Sequence, residues 1–544
     1  MYKKWCDMEK QLNIGMSFSG GGYRAATFDL GALSFLNSIR LDDGRTLLDC
    51  VSVLASVSGG TIPAMKYMLA QVHGQSVEDM VDELYDFLCN EDLVVRALRE
   101  MSAQKANPDV SLIRIMAGIY DSCLFDHATL NDIINSIERI HVKDYTALAT
   151  DFDNSLPFRL RITSGTQTNG DRMSYAVFGN KINSIGRSVV EYITPGEALA
   201  CSSCFPSGFE PMVFPDDFQV SKNKEIASTI KKRIGIMDGG VSDNQGIESV
   251  LLAEKRMRKH RDKKAQDGKK RTDKALDLVI ISDVASPYMK GYAPSEHMLP
   301  KSLGKLTIGR LRNYGLISEA VMITLFIIAL VLGSKFWLGV ISVILAIVTL
   351  ANLAGAFLKN KMFSTIGKTF IGNNATFISH LKFASLEGLL MNRAKSVIEM
   401  SSVVFLKRIR KLSYDSIYSD SKWNNRVVAS AIYDLRPGEE WETLKELPDY
   451  LVPSEAIQQN STKAASMGTT LWFTDEDKKA GMPQAIISCG QYTMCFNLLQ
   501  YIERIEKKPA NLNESHDLIK ACKPQLMEVW KKFQANPQWM LPKH

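Results

Sequence analysis

The chain has 544 residues, room for two or three ordinary domains or for one large domain with insertions. Its 45% hydrophobic and 23% charged content excludes extended disorder, and no tandem repeat or low-complexity block is present. The net charge of +6 is local, because residues 255–274 carry eleven Lys/Arg against three Asp and the remainder is close to −2.

The opening residues, MYKKWCDMEKQLNIGMSF, are charged and hold no apolar run before the first predicted strand, so no secretory signal is expected. NIGMSF, Asn13 to Phe18, is strand-like and enters the turn Gly20-Gly21-Gly22, after which YRAATFDLGALSFL spaces its apolar residues as a helix does. VSVLA repeats the arrangement: a strand, then Ser58-Gly59-Gly60, then TIPAMKYMLAQV as a helix. Strands alternating with helices imply an α/β fold with a mostly parallel sheet. From Gln75 to about Asp151 the pattern is helical throughout, with Ser76 and Thr129 as N-caps. Phe158 to Thr166 and Leu276 to Ala285 return to strand patterning.

Leu316 to Leu358 departs from a soluble pattern. Two charge-free stretches, Ala320 to Gly333 and Phe336 to Leu358, are separated by Ser334 and Lys335. The second is about 34 Å long as a helix and exceeds the roughly 20 residues that cross a bilayer. The first is about 21 Å and is marginal unless Leu316 to Glu319 contribute. A buried core hairpin is the alternative, but runs apolar on all sides are uncommon in soluble domains. Gly333 and Lys335 form the tip of a membrane hairpin in this reading. Basic residues lie outside both arms, at Lys301, Lys305, Arg310 and Arg312 before and Lys359, Lys361 and Lys368 after, which places both ends in the cytoplasm. Beyond it, ATFISHLKFASLEGLLMNRAKSVIEMSSVVFL is helical, RVVASAIYDL strand-like and GQYTMCFNLLQYIERI helical.

The basic run 255–274 reads either as a solvated helix end with a loop or as a patch drawn to anionic lipid headgroups. Nucleic acid is not expected as a partner, because no aromatic residues interleave with the charges. Nine cysteines without paired spacings suggest free thiols in a reducing compartment. Cys201 and Cys204 are the only close pair, and no metal site is expected.

A glycine turn feeding a helix offers free backbone N–H groups and the positive end of the helix dipole, so Gly20-Gly21-Gly22 forms an anion site. Gly20 to Ala25 satisfies a dinucleotide fingerprint as well, but the second strand ends at Ser56-Val57-Ser58 and not on the acidic residue that would hold ribose. An oxyanion is the better occupant. SVSGG, Ser56 to Gly60, resembles a nucleophile elbow with Ser58 as the exposed serine and Gly59 supplying an adjacent N–H, although Ser56 stands where the motif has glycine. Serine needs a base. None of the eight histidines sits in a glycine-rich strand-end context, whereas Asp238 in IGIMDGGVSDNQG ends a predicted strand with two glycines behind it.

With these pieces in order, the sequence resembles the patatin-like phospholipase family. The resemblance rests on GGGYRA (Gly20 to Ala25), SVSGG (Ser56 to Gly60), ALACSSCFPSGFEPM (Ala198 to Met212) and DGGVSDNQG (Asp238 to Gly246), over residues 12–290 and more weakly to about 505. It implies a three-layer α/β fold with a mostly parallel central sheet, here carrying an inserted membrane hairpin. It also implies a Ser–Asp dyad without cofactor: Ser58 as nucleophile, Asp238 as base, and Gly20, Gly21, Gly22 and Gly59 around the oxyanion. Arg24 would steady the glycine loop or meet a lipid phosphate, with a surface salt bridge as the alternative. The domain reading is a core over 12–315 with a helical insertion at 75–151 suited to a lid or lipid-entry wall, a hairpin at 316–358, a returning part at 359–505 and a helical extension at 506–544. The functional expectation is a membrane-attached hydrolase of phospholipid or lysophospholipid esters on the cytoplasmic side of the cell membrane. Acyl transfer by the same residues and a non-catalytic scaffold are the alternatives. A homo-oligomer is compatible with the sequence, which leaves the oligomeric state open.

Overall fold

The structure is a computed structural model that describes residues 12–103, 111–166, 172–206, 208–230, 232–264, 275–285, 293–295, 300–362, 382–423, 425–438, 447–507 and 514–541. The chain divides into two compact units, one of Met1–Tyr288 with Ser401–His544 and one of Met289–Met400.

The larger unit is built on ten strands: β1 (Ile14–Phe18), β2 (Val51–Val57), β3 (Asp144–Asp151), β4 (Leu156–Thr166), β5 (Arg172–Gly179), β6 (Ser184–Gly186), β7 (Met212–Phe214), β8 (Ile234–Asp238), β9 (Leu278–Asp283) and β10 (Val427–Ala431). Their order is β10-β9-β1-β2-β3-β4-β5-β6, with β8 paired to β3 and β7 to β8. Five adjacent strands from one edge, β10-β9-β1-β2-β3, are parallel, and the remaining pairs are antiparallel. Around them run α1 (Gly22–Ser38), α2 (Thr61–His73), α3 (Val77–Asn90), α4 (Leu93–Ala103), α5 (Leu112–Cys123), α6 (Leu130–Ser136), α7 (Pro195–Ser203) and α8 (Ile247–Lys264). The smaller unit contributes α9 (Ile308–Val331) and α10 (Lys335–Met362), and the larger resumes with α11 (Phe405–Tyr418) and α12 (Met482–Glu506).

Alternation along the strands sorts the apolar residues into two layers. Leu54, Leu278, Ile280 and Val428 join a core shared with α1, α2 and α12. Val53, Ala55, Val279, Ile281 and Val427 pack with Ile247 and Val250 of α8 and Ile417 of α11. A sheet covered on both faces needs apolar residues at consecutive positions, which is why its strands read as continuous runs.

Ser76 and Thr129 cap their helices as the sequence predicts: the Ser76 hydroxyl accepts from the Asp79 N–H, and Thr129 forms a capping box with Asp132. The segment 75–151 is not helical throughout, however. Asp144–Asp151 is strand β3, between β2 and β4. All eight of its residues are buried, so no period-two alternation marks it, and the strand signal lies in its Tyr and Thr content. Strands β5, β6 and β7 are likewise additions to the sequence reading.

In the smaller unit, α9 begins eight residues ahead of the apolar block, and Gly333, at φ +67°, turns the chain into α10. Gly309–Val331 and Lys335–Ala354 are long and apolar enough to cross a membrane. Their side chains stand open, with Val331 80% and Phe336 72% exposed, where a soluble hairpin would bury such groups. Glu319, which interrupts the first arm, accepts hydrogen bonds from Thr349 Oγ1 and Asn352 Nδ2 of the second, both at 3.0 Å. The arms are thus stapled through the one carboxylate of the first.

Of the basic run 255–274, residues 265–274 lie outside the described residues, as does Lys368. Arg256 is not a free surface charge: its guanidinium grips the buried Asp144 of β3 at 2.8–3.0 Å.

Candidate active site

Ser58 follows the last residue of β2 and starts the turn into α2. Its φ is +50°, a conformation that residues bearing a side chain seldom adopt and that marks a held turn. The turn is held from two sides. Its N–H donates to Ser202 Oγ of α7 at 2.9 Å. On the other side Gly59 presses against the glycine loop so closely that a Cβ on it would overlap the Gly22 carbonyl. Gly22, at φ +59°, has the Thr470 carbonyl where its own Cβ would be, and the Tyr23 N–H donates to that carbonyl at 2.7 Å. The glycines permit three backbones to meet in one place.

Asp238 ends β8, and the register of β3 decides where. Leu148 pairs with Val57, and the next residue, Ala149, pairs with Asp238. One strand therefore receives β2 and β8 in succession along the same edge and brings Ser58 to Asp238. The Asp238 carboxylate accepts the Gly240 N–H at 2.6 Å and meets the Ser58 hydroxyl. Burial pushes its pKa up to about 6, against the lowering effect of the Ser58 hydroxyl and the Gly240 N–H. A hydroxyl against such a carboxylate has a base stronger than an ordinary aspartate within reach.

Two contributors escape sequence reasoning. Ser202 joins the loops: its hydroxyl accepts from Ser58 N–H and donates to the Leu148 carbonyl at 2.7 Å, while its own carbonyl accepts the Gly239 N–H at 3.2 Å. Asn244 ties the glycine loop to the aspartate loop. Its carbonyl accepts the Gly20 N–H at 2.9 Å, and its side-chain oxygen fills the space beside the Cα atoms of Gly20 and Gly240. Both lie in quoted motifs, yet nothing in a linear string says which polar side chain turns inward.

Gly20 therefore frames the site, since its N–H is already engaged, whereas the N–H groups of Gly21, Gly22 and Gly59 have no hydrogen-bond partner among the described residues. Arg24 lines the same cavity and is 9% exposed. Its Nη1 donates to the Met467 carbonyl at 2.6 Å and to Tyr433 Oη at 3.3 Å, contacts that steady the loop. The cavity measures about 390 Å³; Ser58 and Asp238 line it together with apolar Phe205, Val241, Leu406 and Leu471.

A serine set against a buried carboxylate on a tight strand–turn–helix and facing an apolar cavity is an arrangement able to carry acyl transfer. Residues 16–251 match the family model described as patatin-like phospholipase. The chain is similar in part to solved structures of human GIVD cytosolic phospholipase A2, with 16% identity and a TM-score of 0.30 over 52% of this chain and 44% of that one. For the same human protein in complex with methyl gamma-linolenyl fluorophosphonate the figures are 15%, 0.30, 51% and 41%. The match thus spans less than half the length of those proteins. Among curated proteins no match was found.

Proposed function

We propose that the protein is a membrane-attached serine lipid acyl hydrolase that cleaves phospholipid or lysophospholipid esters through Ser58 and Asp238. The observation that carries this reading is the Ser58 hydroxyl, held on a strained turn against a buried carboxylate at the floor of an apolar cavity. As Ser58 Oγ bonds to the ester carbonyl carbon, its proton passes to Asp238, and the carbonyl oxygen becomes an oxyanion facing the open N–H groups of Gly21, Gly22 and Gly59. Collapse breaks the ester C–O bond, and the departing alkoxide takes the proton from Asp238. Water then attacks the acyl-enzyme, giving its proton to Asp238; release of the fatty acid returns that proton to Ser58.

The hairpin of α9 and α10 supports attachment to a bilayer, with the basic residues before α9 and the run 255–274 favouring an anionic cytoplasmic face of the cell membrane. Two crossings return the chain to the side it left, as the sheet requires, because β9 precedes the hairpin and β10 follows it. The test uses detergent-solubilised protein. Wild type should hydrolyse phospholipid and label with a fluorophosphonate, and Ser58→Ala should do neither; ester hydrolysis surviving in Ser58→Ala would refute the assignment.

A further inference from the structure

We propose that Lys407 makes this cavity select lipids whose headgroup carries net negative charge over zwitterionic lipids with the same acyl chains. The proposal rests on the function proposed above and names its substrate class. Lys407 lies in the first turn of α11, outside the segment matched by the family, and lines the cavity that Ser58 lines. It is half-buried and has no hydrogen bond or ion pair among the described residues. The acids whose charge acts on its neighbour Arg410 are engaged. Asp283 accepts from Arg410 Nε at 2.8 Å and Tyr414 Oη at 3.1 Å, and Asp434 accepts from Ala431 N–H and Asn497 Nδ2. Asp238, the one carboxylate among the described residues that line the cavity, faces Ser58 and Gly240 N–H.

The second cation of the wall, Arg24, has a buried Nε without a partner among the described residues. An apolar cavity with two cations and, among the described residues, no free carboxylate favours an anion and disfavours the ammonium end of a zwitterion. Burial, and next the charge of Arg410, hold the Lys407 ammonium below its usual pKa range, a cost that a bound anion relieves. The helix that presents it is anchored at both strand-end loops, by Arg410 on Asp283 and by Ser413 Oγ on Asp243 at 3.0 Å. The charge therefore stands at a fixed place relative to Ser58.

The test is calorimetric binding to full-length Ser58→Ala protein in non-ionic detergent. The probes are dihexanoylphosphatidylglycerol, dihexanoylphosphatidylcholine and inorganic phosphate, all monomeric so that membrane surface charge does not enter. The anionic lipid should bind about tenfold tighter than the zwitterionic one, an electrostatic difference of ordinary size for a partly solvated pair. Lys407→Met should reduce that ratio to about twofold or less, and Lys407→Arg should keep it. Equal weakening of both lipids by Lys407→Met, or no weakening, would overturn the proposal. Displacement of the lipid by inorganic phosphate at equal concentration would also overturn it, by marking a free-phosphate site. Hydrolysis of p-nitrophenyl butyrate by protein with Ser58 intact is a separate arm: its absence would sink the hydrolase reading and leave the binding result to decide the selectivity.

Discussion

Ser58 and Ser202 are joined by a hydrogen bond of 2.9 Å from the backbone N–H of the first to the hydroxyl of the second, and that hydroxyl is donated onward to Leu148. A buried N–H at the strained residue thus depends on one side chain from a distant helix. Ser202→Ala removes the acceptor and should cost about 1–3 kcal/mol of stability. As a positioning residue it should lower kcat and the fluorophosphonate labelling rate about tenfold or more with little change in KM. Thermal melts and labelling kinetics check both, and unchanged labelling would assign Ser202 to stability alone.

In the proposed mechanism Asp238 must be ionised to accept the Ser58 proton. With its pKa near 6, kcat/KM should be flat above pH 7 and fall about tenfold per unit well below 6. A pH–rate profile on a neutral ester tests this, and a limb near 4 would contradict it.

The same shift has a consequence for stability. The folded value near 6 lies above the ordinary 3.8, so the group's stabilising contribution is full below about pH 4 and is lost as pH rises through 6. Above that range the buried charge costs about 3 kcal/mol. Asp238→Asn should therefore abolish hydrolysis yet raise the melting temperature at pH 8, with the gain vanishing near pH 4. Melts at the two pH values decide it.

Ser56 shares a hydrogen bond with Tyr145 Oη at 3.3 Å, both residues being buried, and does not line the cavity. Ser56→Gly should retain hydrolysis while losing about 1–2 kcal/mol of stability, because the tyrosine hydroxyl is left without this partner. Loss of activity in a protein that still folds would mean that the side chain contributes to the turn itself.

Gly59→Ala should be far more severe than an alanine at an open glycine such as Gly118, whose Cβ would meet nothing within 4 Å. A methyl on Gly59 must displace the Gly22 carbonyl and with it the whole loop. Fluorophosphonate labelling should be lost for Gly59→Ala and kept for Gly118→Ala.

What was legible in the sequence was local in origin. The two strand–glycine–helix turns, the N-caps at Ser76 and Thr129 and the DGG strand end follow from preferences of near neighbours, and the apolar hairpin from two uninterrupted runs of sequence. Asp144–Asp151 was missed because a strand buried on both faces lacks alternation. Ser202, Asn244 and Lys407 were missed because a polar side chain on a helix or loop does not announce what it will face.

The sequence by itself determined the local pieces of the candidate site: a serine on a tight turn, an aspartate at a strand end, glycines thin enough for backbones to touch. Only the tertiary structure decided that they meet. That meeting depends on the register of β3, where Leu148 takes Val57 and Ala149 takes Asp238, between segments some 90 residues apart on either side. Such pairing arises from hydrogen bonds and core burial that no local window of the chain contains. The same long-range closure set Lys407, from beyond the hairpin, into the wall of the cavity that Ser58 lines.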